Sequence, residues 1–222
     1  MFNSEFILSK TTSPNSCFMV MQKEIFIPDS GNLLPYGGEV RLYPAFYEKE
    51  QADRIFEDLR GGLAWRQEPI WMFGKQVMQP RLTALYGNPN QPYSYSGISM
   101  DALPWTSVLD EIKKNIEKFT GCQFTHVLCN FYRDGNDSMG WHRDNEAVLG
   151  RNPTIASLTF GVTRVFQLRD YPSKKNKVEV PLSHGSLLIM AGESQHLWEH
   201  QLPKTKKVNG PRINLTFRKL LM

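Results

Sequence analysis

Three groups of side chains in this 222-residue chain have types and spacing suited to chemistry. His142-Arg143-Asp144 places an imidazole and a carboxylate at i and i+2, which project from one side of an extended backbone and could share a metal ion. A redox iron site that takes up a chelating co-substrate and oxygen keeps two His and one carboxylate on one face and leaves the opposite positions open. A second histidine is therefore required, and His184, His196 and His200 are the downstream candidates. His196 and His200 fall in one strand-like run and on one side of it, so periodicity does not choose between them. In the second group, Arg212-Ile213-Asn214-Leu215-Thr216-Phe217-Arg218, the polar residues share one face and the apolar ones the other. Two inward guanidinium groups are costly to bury unless anions meet them, and a dicarboxylic co-substrate would satisfy both. The third group, Asn130 and Tyr132, adds an amide and a phenol suited to carboxylate oxygens. No H-E-x-x-H occurs, and paired arginines on a last strand have no obvious task in a zinc hydrolase.

These residues need elements to carry them. A composition of 41% hydrophobic and 22% charged residues fits a globular protein and excludes a disordered or fibrous one. Residues 1–38 are rich in Ser, Asn, Pro and Gly and read as an arm or lead-in. Ala52, Ile55, Phe56 and Leu59 follow helical spacing up to Gly61-Gly62, and Trp105, Val108, Leu109, Ile112, Ile116 and Phe119 do so between Pro104 and Gly121. Both helices are expected to share one core. From Phe124 the texture changes to seven short β-branched and aromatic runs: 124–132, 155–161, 164–169, 178–182, 186–191, 196–201 and 212–218. Helices first and strands afterwards, without βαβ alternation, predict an α+β fold in which helices support one face of a double antiparallel sheet, a sandwich or jelly roll.

The order Asn-x-Tyr, His-x-Asp, a distant His, then Arg-x-Asn-x-x-x-Arg closely resembles the AlkB family of Fe(II)- and 2-oxoglutarate-dependent dioxygenases, from about residue 40 to the end. The resemblance implies a single dioxygenase domain over 39–222, with a nucleotide-recognition hairpin segment at 66–97 and a double-stranded β-helix (jelly-roll) core at 124–222. It implies that His142, Asp144 and His200 hold the iron, leaving His196 as a neighbour, and that Asn130, Tyr132, Arg212, Asn214 and Arg218 contact 2-oxoglutarate. Arg212 would take the remote carboxylate and Arg218 would stand near the metal-bound end and Asp144. The implied reaction consumes O2 and 2-oxoglutarate, yields succinate and CO2, and hydroxylates an N-methyl group that leaves as formaldehyde.

The same resemblance points to alkylated bases in DNA, 1-methyladenine and 3-methylcytosine, as substrates of a direct-reversal repair enzyme. Such a base must be extruded and stacked between flat groups. Tyr95 matches the stacking aromatic, with Tyr93 beside it; Glu146 matches an acidic group aimed at the cationic base; Phe73 matches an apolar wedge; and Arg81 matches a phosphate contact. RNA, or a peptide hydroxylated by the same core, is the alternative substrate. Charge agrees with a polyanion, because residues 161–222 carry 11 Lys/Arg against 4 Asp/Glu, or +7, while the rest carry 15 against 18, or −3. Three cysteines without C-x-x-C spacing argue for a reducing compartment, and the apolar run Cys17 to Met21 is too short to span a bilayer. The expectation is a soluble intracellular monomer, cytoplasmic in a bacterium or nuclear in a eukaryote, with no membrane partner.

Overall fold

The structure, a computed structural model, describes residues 31–72, 74–89, 93–95 and 98–221; of 71, 72, 93–95 and 98–100 it describes the backbone alone. Chain order begins with β1 (Glu39–Tyr43) and α1 (Lys49–Gly62), followed by β2 (Pro69–Met72), β3 (Lys75–Met78), β4 (Leu82–Gly87), β5 (Tyr93–Tyr95) and β6 (Ile98–Met100). Next come α2 (Ser107–Thr120), β7 (His126–Tyr132) and β8 (Met139–His142), then β9 (Ile155–Gly161), β10 (Arg164–Asp170) and β11 (Lys177–Leu182). The chain closes with β12 (Ser186–Ala191), the short α3 (Ser194–Leu197), β13 (Trp198–Leu202) and β14 (Arg212–Arg218).

Two antiparallel sheets carry the fold: a six-stranded one in the order β1-β12-β9-β14-β7-β4 and a four-stranded one in the order β11-β10-β13-β8. Apart from the β10–β11 pair, neighbouring strands are not sequential, as expected when a jelly roll alternates between its sheets. β14 lies inside the larger sheet, paired with β7 and β9, and all seven of its residues are buried. Ile213, Leu215 and Phe217 face the helical layer and join Ala52, Leu59, Leu109, Ile112 and Ile116 in one apolar cluster. The alternate residues face the four-stranded sheet. Burial on both sides is the reason the larger sheet needs α1 and α2 on its outer face.

Both helices match their apolar stripes. α2 is capped by Thr106, whose Oγ1 accepts from Leu109 N at 3.3 Å, so the cap follows Pro104 by two residues. It ends at Gly121, whose φ of 70° and N–H to the Glu117 carbonyl form a left-handed cap. α1 runs through Gly61 and Gly62 before stopping at Leu63.

One expectation needs correction. The run 196–201 is divided, because Ser194–Leu197 coil into α3 and the strand starts at Trp198. Within the segment 66–97, β2–β3 is a separate hairpin and β4 joins the larger sheet beside β7. Its Trp65 neighbour packs on Phe131, and Tyr86 is buried with its hydroxyl accepting from Ala64 N, so both are packing groups. β1 and β8 gave no separate sequence signal, being short and only partly apolar. Cys122 and Cys129 are free thiols, Cys129 fully buried. Among the described residues no helix is long and apolar enough to cross a membrane.

Candidate metal centre

The site lies between the two sheets, and strand register assembles it. β8 and β13 are antiparallel neighbours in which His142 stands directly opposite His200, with ring centroids 4.3 Å apart. Asp144 follows two residues beyond the end of β8, and the ligand atoms of His142, Asp144 and His200 all lie within 4.8 Å of one another. Across the cavity, Tyr132 pairs with Arg212 and Asn130 with Asn214 in the β7–β14 register. All eight of these positions except Asp144 therefore come from paired strands, with Arg218 completing the set at the end of β14.

Protonation states suit a cation. His142 Nδ1 is 2.8 Å from the Gly140 carbonyl. A carbonyl only accepts, so Nδ1 carries the proton and Nε2 keeps its lone pair for a metal. Burial pushes His200 down to about 3, and burial also lowers His142, opposed by the Asp144 charge and the Gly140 carbonyl. Both imidazoles are neutral ligands at neutral pH. Burial alone would raise Asp144, but Arg218, His200 and His142 outweigh it and hold the carboxyl at about 2. Its Oδ2 accepts from Arg218 Nη2 at 2.6 Å and from Nε at 3.2 Å, whereas Oδ1 is buried without a hydrogen-bond partner. Two neutral imidazoles and one carboxylate with an uncommitted oxygen fit a divalent iron.

Arg212 presents the opposite problem. Its guanidinium is 2% exposed, Nη2 donates to Thr159 Oγ1 at 2.8 Å, and it lies 5.3 Å from the Tyr132 ring, but Nε has no partner. Burial, with Arg164 nearby, lowers its pKa to about 10, so the side chain stays cationic at neutral pH. A buried cation without a carboxylate is costly, and here it borders the same cavity as the His-Asp-His cluster. Asn130 Oδ1 accepts from Arg81 Nε at 2.7 Å, which leaves the Asn130 amide N–H groups to donate. Asn214 is already engaged: Nδ2 donates to Ser157 Oγ and to the Leu158 carbonyl, both at 2.9 Å.

A family model described as the 2OG-Fe(II) oxygenase superfamily matches residues 39–218. The chain belongs to that superfamily. Within it the chain is an AlkB-type member, 44% identical over 197 residues to human alpha-ketoglutarate-dependent dioxygenase alkB homolog 3, covering 84% of this chain and 68% of that protein. It is also 40% identical over 194 residues to human DNA oxidative demethylase ALKBH2, covering 81% and 73%. Among solved structures, "The structure of OsALKBH1" superposes with a TM-score of 0.57 at 19% identity, over 86% of this chain and all of that one, a likeness of fold.

The expected residues of this AlkB-type chain divide in the structure. His142, Asp144, His200, Asn130, Tyr132, Arg212, Asn214 and Arg218 converge on one cavity. His196 does not: in α3 its ring turns away, and Nε2 makes a close contact with the Arg151 carbonyl. His184 is remote from the cluster, accepting from Gly161 N at 2.8 Å and facing Asp53. Arg81 is corrected: it is 3% exposed and turned onto Asn130, so it is an inner neighbour of the cavity wall and not a phosphate contact at the surface. Glu146 is half-buried with Oε2 unpartnered, and burial together with the Asp144 charge raises its pKa. Phe73 lies outside the described residues, as do the side chains of Tyr93 and Tyr95. Sequence reading missed Ser157 and Thr159, although their alternation with Ala156, Leu158 and Phe160 on β9 marked them as one inward face. It also missed Gln195, for which no sequence signal exists.

Proposed function

We propose that this chain is an Fe(II)- and 2-oxoglutarate-dependent demethylase of N-alkylated DNA bases, with 1-methyladenine and 3-methylcytosine as substrates. The observation that supports it most is the fully buried Arg212 with an unpartnered Nε, on the wall of the same cavity as His142, Asp144 and His200. A dicarboxylate reaching from the metal to that guanidinium would satisfy both at once.

His142 Nε2, His200 and Asp144 Oδ1 are the atoms available to hold Fe(II), which when bound with 2-oxoglutarate supplies the activation of O2. Arg218 keeps Asp144 Oδ2 occupied, so the carboxylate offers a single oxygen to the metal. Arg212, with Tyr132 beside it, takes the far carboxylate of 2-oxoglutarate, and the Asn130 amide donates to the same co-substrate. Asn214, held against β9 through its Nδ2, lines the same cavity and is assigned to the co-substrate with them. Glu146 favours a cationic alkylated base over its neutral parent, since a partly buried carboxylate acts on charge directly. Tyr95 and Tyr93 are assigned to base stacking, and Phe73 to the gap in the duplex. The names of the relatives, which specify a dioxygenase and a DNA oxidative demethylase, support the substrate class, as does the +7 balance of residues 161–222. The activity is assigned to a monomer and to the single domain 39–222.

The test is anaerobic titration with Fe(II), with and without 2-oxoglutarate, followed by admission of air and mass spectrometry of methylated oligonucleotides. The expected result is one iron per chain, tighter with 2-oxoglutarate, and loss of the methyl mass with formation of succinate. Methylated DNA left intact by an iron-loaded enzyme that still converts 2-oxoglutarate to succinate would overturn the substrate assignment.

A further inference from the structure

Asp144 is held from two sides, and only one of them is a charge. Arg218 grips the carboxylate, while the backbone N–H of Asp144 donates to the Oε1 of Gln195 at 3.0 Å. Gln195 is 1% exposed and sits in α3, five residues before His200. Its other contacts are weaker: Nε2 reaches Ser194 Oγ at 3.3 Å and Met190 Sδ at 3.7 Å. The orientation of the amide is fixed by chemistry, because a backbone N–H requires the oxygen end to face it. α3 also grips the chain on either side of Asp144. The His196 carbonyl accepts from Arg143 Nη1 at 3.2 Å, and His196 Nε2 meets the Arg151 carbonyl.

Asp144 needs such an anchor because it has left the sheet. His142 and His200 are fixed by ladder hydrogen bonds, but Asp144 lies in the irregular stretch after β8. A carboxylate with one hydrogen-bonded oxygen can still swing if its backbone shifts. Resting on the metal-site reading above, we infer that Gln195 is a positioning residue for the metal centre: its side-chain oxygen fixes the main chain of Asp144 so that Oδ1 faces His142 and His200. One short segment, Ser194–His200, then supplies both a ligand and the amide that aims another ligand.

The test uses Gln195→Met, which keeps volume and removes the acceptor, with Mn(II) as a redox-inert probe followed by electron paramagnetic resonance. Loss of an outer-shell partner costs about 10- to 100-fold in metal affinity, so Gln195→Met is expected to weaken Mn(II) binding by at least about tenfold, while the KM for 2-oxoglutarate at saturating metal changes little. Unchanged Mn(II) affinity in a folded variant would overturn the inference. A second measurement does not depend on the variant folding: in the metal-free wild type, the Asp144 amide is expected to exchange with solvent deuterium much more slowly than the neighbouring amide of the exposed Asn145. Equally fast exchange overturns the inference as well. If the wild type binds no Mn(II) at all, the metal-site reading itself fails, an outcome distinct from either of these.

Discussion

Arg212 carries its charge into an interior where Thr159 and Tyr132 are its close neighbours, and its Nε remains without a partner. Arg212→Ala is expected to weaken 2-oxoglutarate binding by about tenfold or more, since a lost charge-assisted pair costs on the order of 1.5–3 kcal/mol. Calorimetry with Mn(II)-loaded protein measures it, and an unchanged affinity removes Arg212 from the co-substrate. The two histidines flanking the α3–β13 junction are separated by the same kind of reasoning. His200→Ala is expected to abolish metal binding, whereas His196→Ala keeps it, because the His196 ring meets Arg151 and the cavity does not include it. Equal loss of metal in both variants would show that the ligand assignment is wrong. Glu146→Gln keeps shape but removes charge, and is expected to reduce the preference for cationic methylated bases more than it reduces general DNA affinity. The latter comes from phosphate contacts and falls with salt. Binding of methylated and unmethylated oligonucleotides over a salt series separates the two, and equal losses make Glu146 structural.

At the scale of elements, β14 explains why one strand can serve core and site together. Its period of two sends Ile213, Leu215 and Phe217 into the helical layer and Arg212, Asn214, Thr216 and Arg218 into the cavity, so a shift of one residue would exchange the faces. Its pairing on both sides prevents that shift. α2 backs this strand and depends on its ends. Thr106→Ala removes the hydroxyl that accepts from Leu109 N and is expected to cost about 1 kcal/mol of stability, within a range of about 0.5–2. Urea unfolding measures the loss, and metal affinity should stay as it was because Thr106 lies on the helical side, away from the cavity. A fall in metal affinity without a change in unfolding midpoint would contradict this separation of layers.

For the whole molecule, the site imposes a pH dependence on stability. His200 has a folded value near 3 against an ordinary 6.5, and His142 is lowered too. Between those limits the unfolded chain takes up protons that the folded, metal-free protein refuses, so stability rises with pH across the window. The melting temperature of metal-free protein is therefore expected to fall as pH drops from about 7 to about 5, and His200→Ala should flatten that slope. Asp144 works in a separate window. Its value of about 2 lies below the ordinary 3.8, so its contribution is complete above 3.8 and is lost only as pH falls through 2. Fe(II) or Mn(II), bound by the folded state alone, should raise the melting temperature at neutral pH. A slope unaffected by His200→Ala would mean that these imidazoles are not the groups resisting protons.

The sequence alone determined the layer arrangement and the inward residues of the last strand, because period 3.6 in α1 and α2 and period 2 in β14 are local properties written by hydrophobic contrast. It also determined that His142 and Asp144 belong together, by their spacing of two. It could not choose among His184, His196 and His200 from periodicity, since that choice is made by a turn of helix at Ser194–Leu197 that reverses His196, and by the register that sets His200 against His142. Resemblance of motif supplied the choice, and tertiary pairing supplied its physical reason. Arg81 and Gln195 were decided entirely by tertiary structure. A polar side chain carries no local mark of whether it will be buried, and only the packing of β4 on β7 and of α3 on the chain after β8 gave these two their partners, Asn130 and the Asp144 main chain.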